Sequence, residues 1–301
     1  MKKVFDVFLF FNELDILELR LKMLDDVVDF FVITECDFTF SGKPKSMIFA
    51  KNIDRFKKYF DKIIYNPITL KDIEDLKDKS WKDYITDFSK STPHKSQGKT
   101  AKRLHKTLQR EIRQRDSAFL GLFGRANDND LVLLSDVDEI PNPDIIKSLI
   151  GKDLNIPHYL IMRWYMYWMN NKVSEPWVGT VAFDFKVLRG KSLDLLRYSS
   201  KDIHNVPGEI VDQGGWHFSY LGGEKAIIEK LKAHPYQGRK AQISMLLNKI
   251  GLKPFFKTIG NNEDILMQNR NFEIVPIDEN FPNFLKKHKF FIEKYSKILI
   301  D

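Results

Sequence analysis

The sequence predicts an α/β fold in which parallel strands alternate with helices. The run from Val4 to Phe11 is almost continuously apolar, which is typical of a strand that is covered on both faces. Leucines at positions 14, 17, 21 and 24 then follow a helical spacing, and a second apolar run extends from Val27 to Thr34. Since the 301 residues contain neither an internal repeat nor a clear linker, we expect a single domain.

The composition is that of a globular protein from a reducing compartment. Hydrophobic residues make up 43% of the chain and aromatic residues 13%, which excludes intrinsic disorder for most of it. The single cysteine, Cys36, excludes an internal disulfide and a thiolate metal cage. Because every apolar run is far shorter than the roughly 20 residues that cross a bilayer, we expect a soluble, cytoplasmic protein.

The net charge of +7 is concentrated in one segment. Residues 90–115 contain nine Lys or Arg and one acid, Glu111. A solvated helix face is the simpler interpretation of this segment, and a polyanion contact is the functional one. Nucleic acid is disfavoured as the polyanion because no aromatic and basic binding pattern accompanies the charge.

The remaining elements are predicted from periodicity and turn residues. Asn12 is expected to cap the first helix. The glycine-flanked segment 214–223 indicates a loop or short strand. A docked helix is predicted for residues 284–301, with peripheral membrane contact through its lysines as the alternative. The other predicted elements are strands at Lys62 to Tyr65, Leu131 to Leu134 and Tyr159 to Met169, and a helix at Ala101 to Gly121.

Polar residues follow the first two strands and their connecting turns. Parallel strands joined by helices place ligands at the carboxyl edge of the sheet. Asn12, Glu13 and Glu35 fall at this edge, and Lys43 follows in a turn. We therefore expect these four residues to contact a bound ligand, with a surface loop as the alternative for Lys43.

An acidic pair follows a later strand. Asp136 and Asp138 come directly after the apolar run Leu131 to Leu134, whereas Asp128 and Asp130 precede it. Oxygen ligands of this kind suit Mg²⁺ or Mn²⁺, which usually completes its shell with substrate phosphates. The pair therefore predicts a metal-bridged diphosphate, and an acidic turn that ends a strand is the alternative.

The sequence resembles glycosyltransferase family 17 over roughly residues 4 to 235. The resemblance lies in motifs that occur in order along the chain, and their combination is much more specific than any one of them. They are Phe10-Phe11-Asn12-Glu13-Leu14-Asp15, Val28 to Glu35, Thr39 to Lys45, Gln114-Arg115-Asp116, Ser135 to Pro141 and Gly215-Trp216-His217-Phe218-Ser219.

The resemblance implies a GT-A-like α/β domain with a mixed central sheet. It implies a Rossmann-type nucleotide-binding half over about residues 1–140 and an acceptor half over about 141–283. The implied reaction is an inverting, Mn²⁺- or Mg²⁺-dependent transfer of a sugar, N-acetylglucosamine above others, from a UDP-sugar to a glycan. In similar enzymes the second acid of the Asp-x-Asp motif holds the metal and the first approaches the ribose or a metal-bound water, which assigns those roles to Asp138 and Asp136. The animal enzymes carry an N-terminal membrane anchor, and the start of this chain at its first strand favours a cytoplasmic enzyme that builds a surface glycan.

An inverting transfer needs a base that takes the proton of the acceptor hydroxyl. Asp212 is the leading candidate, because it lies beside the Gly-Gly-Trp segment, and Glu209 and Glu139 follow it. An ordinary turn acid before Gly214 is the alternative for Asp212.

Aromatic and basic residues complete the candidate site. His217 is a candidate for the metal shell or for the diphosphate, with His234 as its competitor. Arg115 has the planar geometry that suits a phosphate, although it can instead pair with Asp116. The residues that can stack on an acceptor sugar are Trp164, Trp168 and Trp216, with Trp177 as a further candidate and a buried core position as the alternative for each.

Two other classes of protein fit parts of the pattern. A phosphohydrolase that forms an aspartyl-phosphate also has Asp-x-Asp after an apolar strand, although that strand normally lies near the N-terminus. A non-catalytic module that binds a glycan or nucleotide is the third reading. Loss of turnover in an Asp138→Ala variant separates an enzyme from such a module.

Overall fold

A mixed β-sheet forms the centre of the molecule. The computed structural model describes residues 2–75, 110–198, 206–233, 239–278 and 281–297. The predicted α/β class is confirmed: the described residues form ten strands in one sheet, with helices packed around it. The basic segment up to residue 109 and His234 lie outside the described residues.

The strands and helices alternate in the first part of the chain. The strands are β1 (Val4–Phe10), β2 (Phe30–Cys36), β3 (Ile63–Ile68), β4 (Leu131–Asp136), β5 (Glu139–Pro141), β6 (His158–Met166), β7 (Asn171–Val173), β8 (Trp177–Asp184), β9 (Glu209–Ser219) and β10 (Phe272–Ile274). The helices are α1 (Leu14–Leu24), α2 (Ile48–Lys51), α3 (Leu70–Asp75), α4 (110–117), α5 (Phe119–Leu122), α6 (Pro143–Ile150), α7 (Leu193–Tyr198), α8 (Gly223–Ala233), α9 (Arg239–Lys249), α10 (Phe255–Gly260), α11 (Asn283–Lys287) and α12 (Lys289–Tyr295). Within the described ranges there are also two 3₁₀ helices, Ile53–Tyr59 and Phe185–Leu188.

Parallel pairing aligns the carboxyl ends of the first strands. The order β4-β1-β2-β3 is parallel throughout, with Leu9 opposite Asp136 and Phe10 opposite Glu35. Strand β8 then pairs antiparallel with β4 and β6, which makes the sheet mixed. The acidic pair therefore lies at the same edge as the end of β1.

Strand β9 brings the later motif to this edge. It runs parallel to β6 and antiparallel to the short β5, so that His217 lies opposite both Glu139 and Trp164. Gly215, at φ +144°, makes the close approach possible, because a Cβ there would lie 2.2 Å from the carbonyl oxygen of Ile140. The predicted loop or short strand is thus the end of an eleven-residue strand.

Three hydrophobic clusters hold the layers together. One packs α1, α6, α11 and α12 on one face of the sheet, and a second packs α5 and α7 on the other. A third lies between the ends of β6 and β7 and helices α8 and α10. No helix in the described ranges combines the length and apolarity that a membrane crossing requires.

Several predicted boundaries were wrong for local reasons. The N-cap residue of α1 is Glu13 rather than the predicted Asn12. The side-chain amide of Asn12 instead donates a hydrogen bond to Glu229 on α8 at 3.4 Å. Strand β6 ends at Met166 because Tyr167 has a φ of +69°. The C-terminal helix is docked as predicted, through buried Leu285 and other apolar residues, but it is broken into two short helices.

Candidate functional site

A buried arginine of α1 fixes the backbone of the loop after β4. Arg20 of α1 is fully buried and donates two hydrogen bonds to Asp6, at 2.7 and 2.6 Å. It also donates to the carbonyl oxygens of Asp136 at 3.0 Å and Glu139 at 2.7 Å. A guanidinium offers five N–H donors in a fixed plane, so one side chain can set the path of this whole loop.

Glu139 organises the loop from within. Its carboxylate is buried and accepts hydrogen bonds from the indole N–H of Trp177 at 2.7 Å and from the backbone N–H of Asp136 at 3.0 Å. It also forms an ion pair with Arg197. These three partners occupy both carboxylate oxygens. The arrangement makes Glu139 a positioning residue, and it argues against the predicted role of a base that meets an acceptor.

Asp136 points toward solvent between two arginines. Its side chain is 39% exposed, and its Oδ1 lies 2.6 Å from the guanidinium of Arg115. Partial burial raises the pKa of Asp136, but Arg115 and Arg197 lower it below its ordinary value. Arg115 is held in turn by Asp194 at 3.1 Å rather than by its sequence neighbour Asp116. The site therefore holds an ionised carboxylate that a ligand can reach.

Asp138 lies deeper and contacts two cationic or basic groups. Its side chain is 7% exposed, with Lys230 at 2.6 Å from Oδ2 and His217 Nε2 at 3.7 Å from Oδ1. Burial raises the pKa of Asp138, but Lys230 and His217 outweigh this and keep it below the usual range. Asp138 is thus a carboxylate anion at neutral pH.

His217 packs against two indole rings, those of Trp164 and Trp177, whose centroids lie 5.0 Å from each other. Its ring centroid lies 4.4 Å from that of Trp177 and 5.9 Å from that of Trp164, the latter nearly parallel at 12°. Its Nδ1 is buried and has no hydrogen-bond partner among the described residues. Such an orphaned polar atom in a native site calls for a ligand or a water.

The side chains of Asp138 and His217 have the spacing that a divalent cation requires. Ligands about 2.1 Å from a common ion lie roughly 3 to 4 Å apart, and the Asp138 and His217 atoms, at 3.7 Å, match this spacing. The described residues contain no group of three or more metal-ligating side chains. A carboxylate suits Mn²⁺ or Mg²⁺ when substrate phosphates complete the shell. The imidazole is a softer ligand, which favours Mn²⁺ over Mg²⁺. The residues fit the ion, provided that Lys230 makes room.

Lys230, like Arg20 and Arg197, was not predicted from the sequence. It extends from α8 to Asp138 and lies 3.3 Å from Glu13. Burial lowers the pKa of Lys230, but the two carboxylates raise it above its ordinary value. Its one sequence signal is its place beside the buried Ile227 and Leu231 on α8, which many surface lysines share.

The structure brings together part of the predicted donor site. Two of its residues contact α8: Glu13 pairs with Lys230, and Asn12 donates to Glu229. Two others, Arg115 and Asp136, form an ion pair with each other. Glu35 is buried and accepts backbone N–H bonds at the start of α2, including that of Phe49 at 3.0 Å, so its carboxylate serves the fold.

Lys43 has a different environment. It is exposed, in a turn closed by the hydrogen bond from Thr39 N–H to the Lys43 carbonyl at 2.8 Å. Its side chain is available to solvent, which is also compatible with the surface-loop alternative.

The other two predicted bases lie along β9. Glu209 pairs with His158 at 3.1 Å at the opposite end of the strand from His217, so it is not part of this cluster. Asp212 is exposed and precedes the irregularity at which the pairing of β9 with β6 shifts from Leu160–Val211 to Met162–Gly215.

The predicted sugar-stacking tryptophans separate into two environments. Trp164 lies against His217, and its indole N–H donates to Ser219 at 3.0 Å. Trp216 alternates to the other face of β9 and is buried in the hydrophobic core, so its side chain does not reach this site. Trp168 is half-buried in the turn after β6.

The comparison with known families agrees with this geometry. The model of glycosyltransferase family 17 matches residues 1–90 and 78–287, two overlapping segments that include every residue of the acidic loop, β9 and α8. No individual curated protein matches the chain. Because the family model covers far more than half of the residues, the chain belongs to glycosyltransferase family 17.

Proposed function

We propose that this glycosyltransferase moves a sugar, with N-acetylglucosamine as the leading choice, from a UDP-sugar to a glycan acceptor with inversion at the anomeric carbon. The observation that carries the proposal is the pairing of a solvent-accessible carboxylate, Asp136, with a deeper one, Asp138, at the carboxyl edge of parallel strands. That edge is where α/β sheets bind nucleotides. Membership of the family supports the transfer of a sugar in general.

The proposed divalent cation has a defined set of ligands in this chain. Asp138 and His217 would hold Mn²⁺ or Mg²⁺, with Asp136 contacting it directly or through water. The ion would supply positive charge to the diphosphate that leaves the sugar. The chain's own cations, Lys230 and Arg115, lie beside the same two carboxylates and support binding of a diphosphate there.

The base of the reaction is proposed by comparison of three carboxylates. Glu139 is saturated by its partners, and Glu209 bonds to His158 at the distant end of β9. Asp212 remains our proposal because its side chain is exposed and an acceptor can reach it. Asp212→Asn is expected to lower kcat with little change in donor affinity, and an unchanged kcat would remove Asp212 from this role.

Calorimetry of UDP binding tests the proposal. We expect UDP to bind more tightly in Mn²⁺ than in EDTA, and Asp138→Asn to remove that difference. Asp128→Asn is the matched control, because Asp128 belongs to the other Asp-x-Asp motif and pairs with Arg189 away from the site. Equal affinity of the native protein in Mn²⁺ and EDTA would refute the metal site.

A thermal-shift panel of nucleotide-sugars in the presence of Mn²⁺ identifies the donor, since a bound donor stabilises the folded state by mass action. We expect UDP-N-acetylglucosamine to give the largest shift. A larger shift with a donor built on another nucleotide would replace this assignment. The proposed cytoplasmic location is tested separately by cell fractionation.

A further inference from the structure

Helices α9 and α10 present the most exposed apolar surface of the described residues. The twelve large hydrophobic side chains that are exposed include five between positions 243 and 256. Four of these are more exposed than any of the other seven. The five side chains, which we name the α9–α10 surface, are Ile243 (47%), Leu246 (56%), Ile250 (55%), Leu252 (75%) and Phe256 (61%).

Hydrogen bonds of polar side chains fix the orientation of α9, so that the α9–α10 surface faces solvent. The hydroxyl of Ser244, on the buried side of α9, donates to the carbonyl oxygen of Ile265. Asn248 donates to Glu224 of α8 at 3.1 Å and accepts the N–H of Phe255 at 2.8 Å. Because Phe255 is itself buried, its neighbour Phe256 is turned to solvent. The exposure is therefore built into the packing of these helices.

The segment that carries this surface has charged residues of one sign. Residues 239–257 contain five Lys or Arg and no Asp or Glu. Lys249 and Lys257 are exposed, and Lys253 is partly exposed with Glu263 at 3.5 Å as its counter-ion. Apolar side chains bordered by lysines are the pattern of a segment that lies in the interface of an anionic bilayer.

We propose that the α9–α10 surface docks the protein on an anionic lipid bilayer. The positive charge favours a lipid surface over a second copy of this chain, whose same surface would carry the same charge. Helix α8 connects the surface to the site, because its Ile227 and Leu231 pack in one cluster with Phe255 while its Lys230 reaches Asp138. A docked protein would therefore hold its site close to acceptors carried by the membrane. The C-terminal helices offer less apolar surface for such a contact, since Leu285, Phe291 and Tyr295 are buried and Phe290 is 48% exposed.

Vesicle co-sedimentation of the full chain tests this inference. We expect binding to vesicles of phosphatidylcholine with 30% phosphatidylglycerol (roughly this fraction gives the anionic surface required) and little binding to phosphatidylcholine alone. Leu252→Ser with Phe256→Ser should lower the partition coefficient by at least about tenfold. Lys249→Gln and Lys257→Gln should each lower it by about fivefold.

The controls separate this surface from its alternatives. Phe123→Ser, at a position 49% exposed elsewhere on the protein, should leave the partition coefficient unchanged. A measurement of UDP affinity checks that each variant is folded. If the native protein does not bind UDP, that result counts against the proposed function and not against membrane docking. Loss of vesicle binding with Phe290→Ser but not with the Leu252 and Phe256 pair would overturn the inference in favour of the C-terminal helices. Equal binding to neutral vesicles, no binding to either, or dimerisation lost with the same pair would also overturn it.

Discussion

The contact between Lys230 and Asp138 makes a quantitative prediction about stability. Replacing Lys230 by Met keeps the length of the side chain and removes its charge. Asp138, which is 7% exposed, then loses its partner at 2.6 Å and retains His217 at 3.7 Å. Removing one partner of a buried ion pair costs about 3–5 kcal/mol. Because Lys230 is itself 24% exposed, we expect the smaller value of about 2–3 kcal/mol.

Substitution of the other partner, Asp138, should lower the free energy of unfolding by less. In Asp138→Asn, the ammonium group of Lys230 still has Glu13 at 3.3 Å. We therefore expect a loss of about 1–2 kcal/mol for Asp138→Asn and a double variant less destabilised than the sum of the two. The coupling energy should be about 1–2 kcal/mol, as for side chains in direct contact.

Urea unfolding followed by tryptophan fluorescence measures all four corners of this cycle. Lys225→Met is the matched control, because Lys225 is exposed on the same helix, and it should change stability by less than about 0.5 kcal/mol. If Lys230→Met were no more destabilising than Lys225→Met, the buried ion pair would not exist in solution and the electrostatic reasoning about the site would fail.

Three further predictions concern the scaffold. Arg20→Lys should lower the free energy of unfolding by about 3 kcal/mol, measured in urea, because a single ammonium cannot serve Asp6 and the loop carbonyls together; a loss below about 1 kcal/mol would contradict this. Gly215→Ala should lower the melting temperature sharply in calorimetry, since its Cβ would meet the Ile140 carbonyl at 2.2 Å; an unchanged melting temperature would show that β5 and β9 are not paired. Burial raises the pKa of Asp15, but Lys294, Tyr295 and Arg55 lower it to about 2. Its folded pKa is below its unfolded one, so it stabilises the fold above about pH 4, and about 1–2 kcal/mol should be lost between pH 4 and pH 2; Asp15→Asn should flatten that part of the stability profile, and an unchanged slope would count against it.

The fold was predictable where apolar patterns are long. Strand β1, helix α1 and strand β4 carry runs that identify them and their parallel pairing. Strand β9 was not predictable at its full length, because its first residues, from Glu209 to Gln213, mix polar and apolar side chains without a clear pattern and are largely exposed. Its pairing with β6 and β5, rather than its own sequence, makes it a strand.

The site was predictable from motifs but its contacts were not. The placement of Asp136 and Asp138 after β4 follows from the sequence, as does the nearness of His217 once the family motifs are recognised. Two of their cationic partners, Arg197 of α7 and Lys230 of α8, lie far along the chain. Trp216 and Trp164 look alike in sequence and both are buried, and only the pairing of β6 with β9 shows that Trp164 lies opposite His217 while Trp216 packs in the main hydrophobic cluster.

The position of Arg20 has a consequence for engineering this protein. Its guanidinium comes from the first helix, yet it shapes a loop more than a hundred residues later. A chimera that exchanges the acidic loop with a relative should therefore transplant residues 4–24 together with 131–141, as one unit. A graft of the acidic loop alone would place its carboxylates in a protein that lacks the matching arginine to orient them.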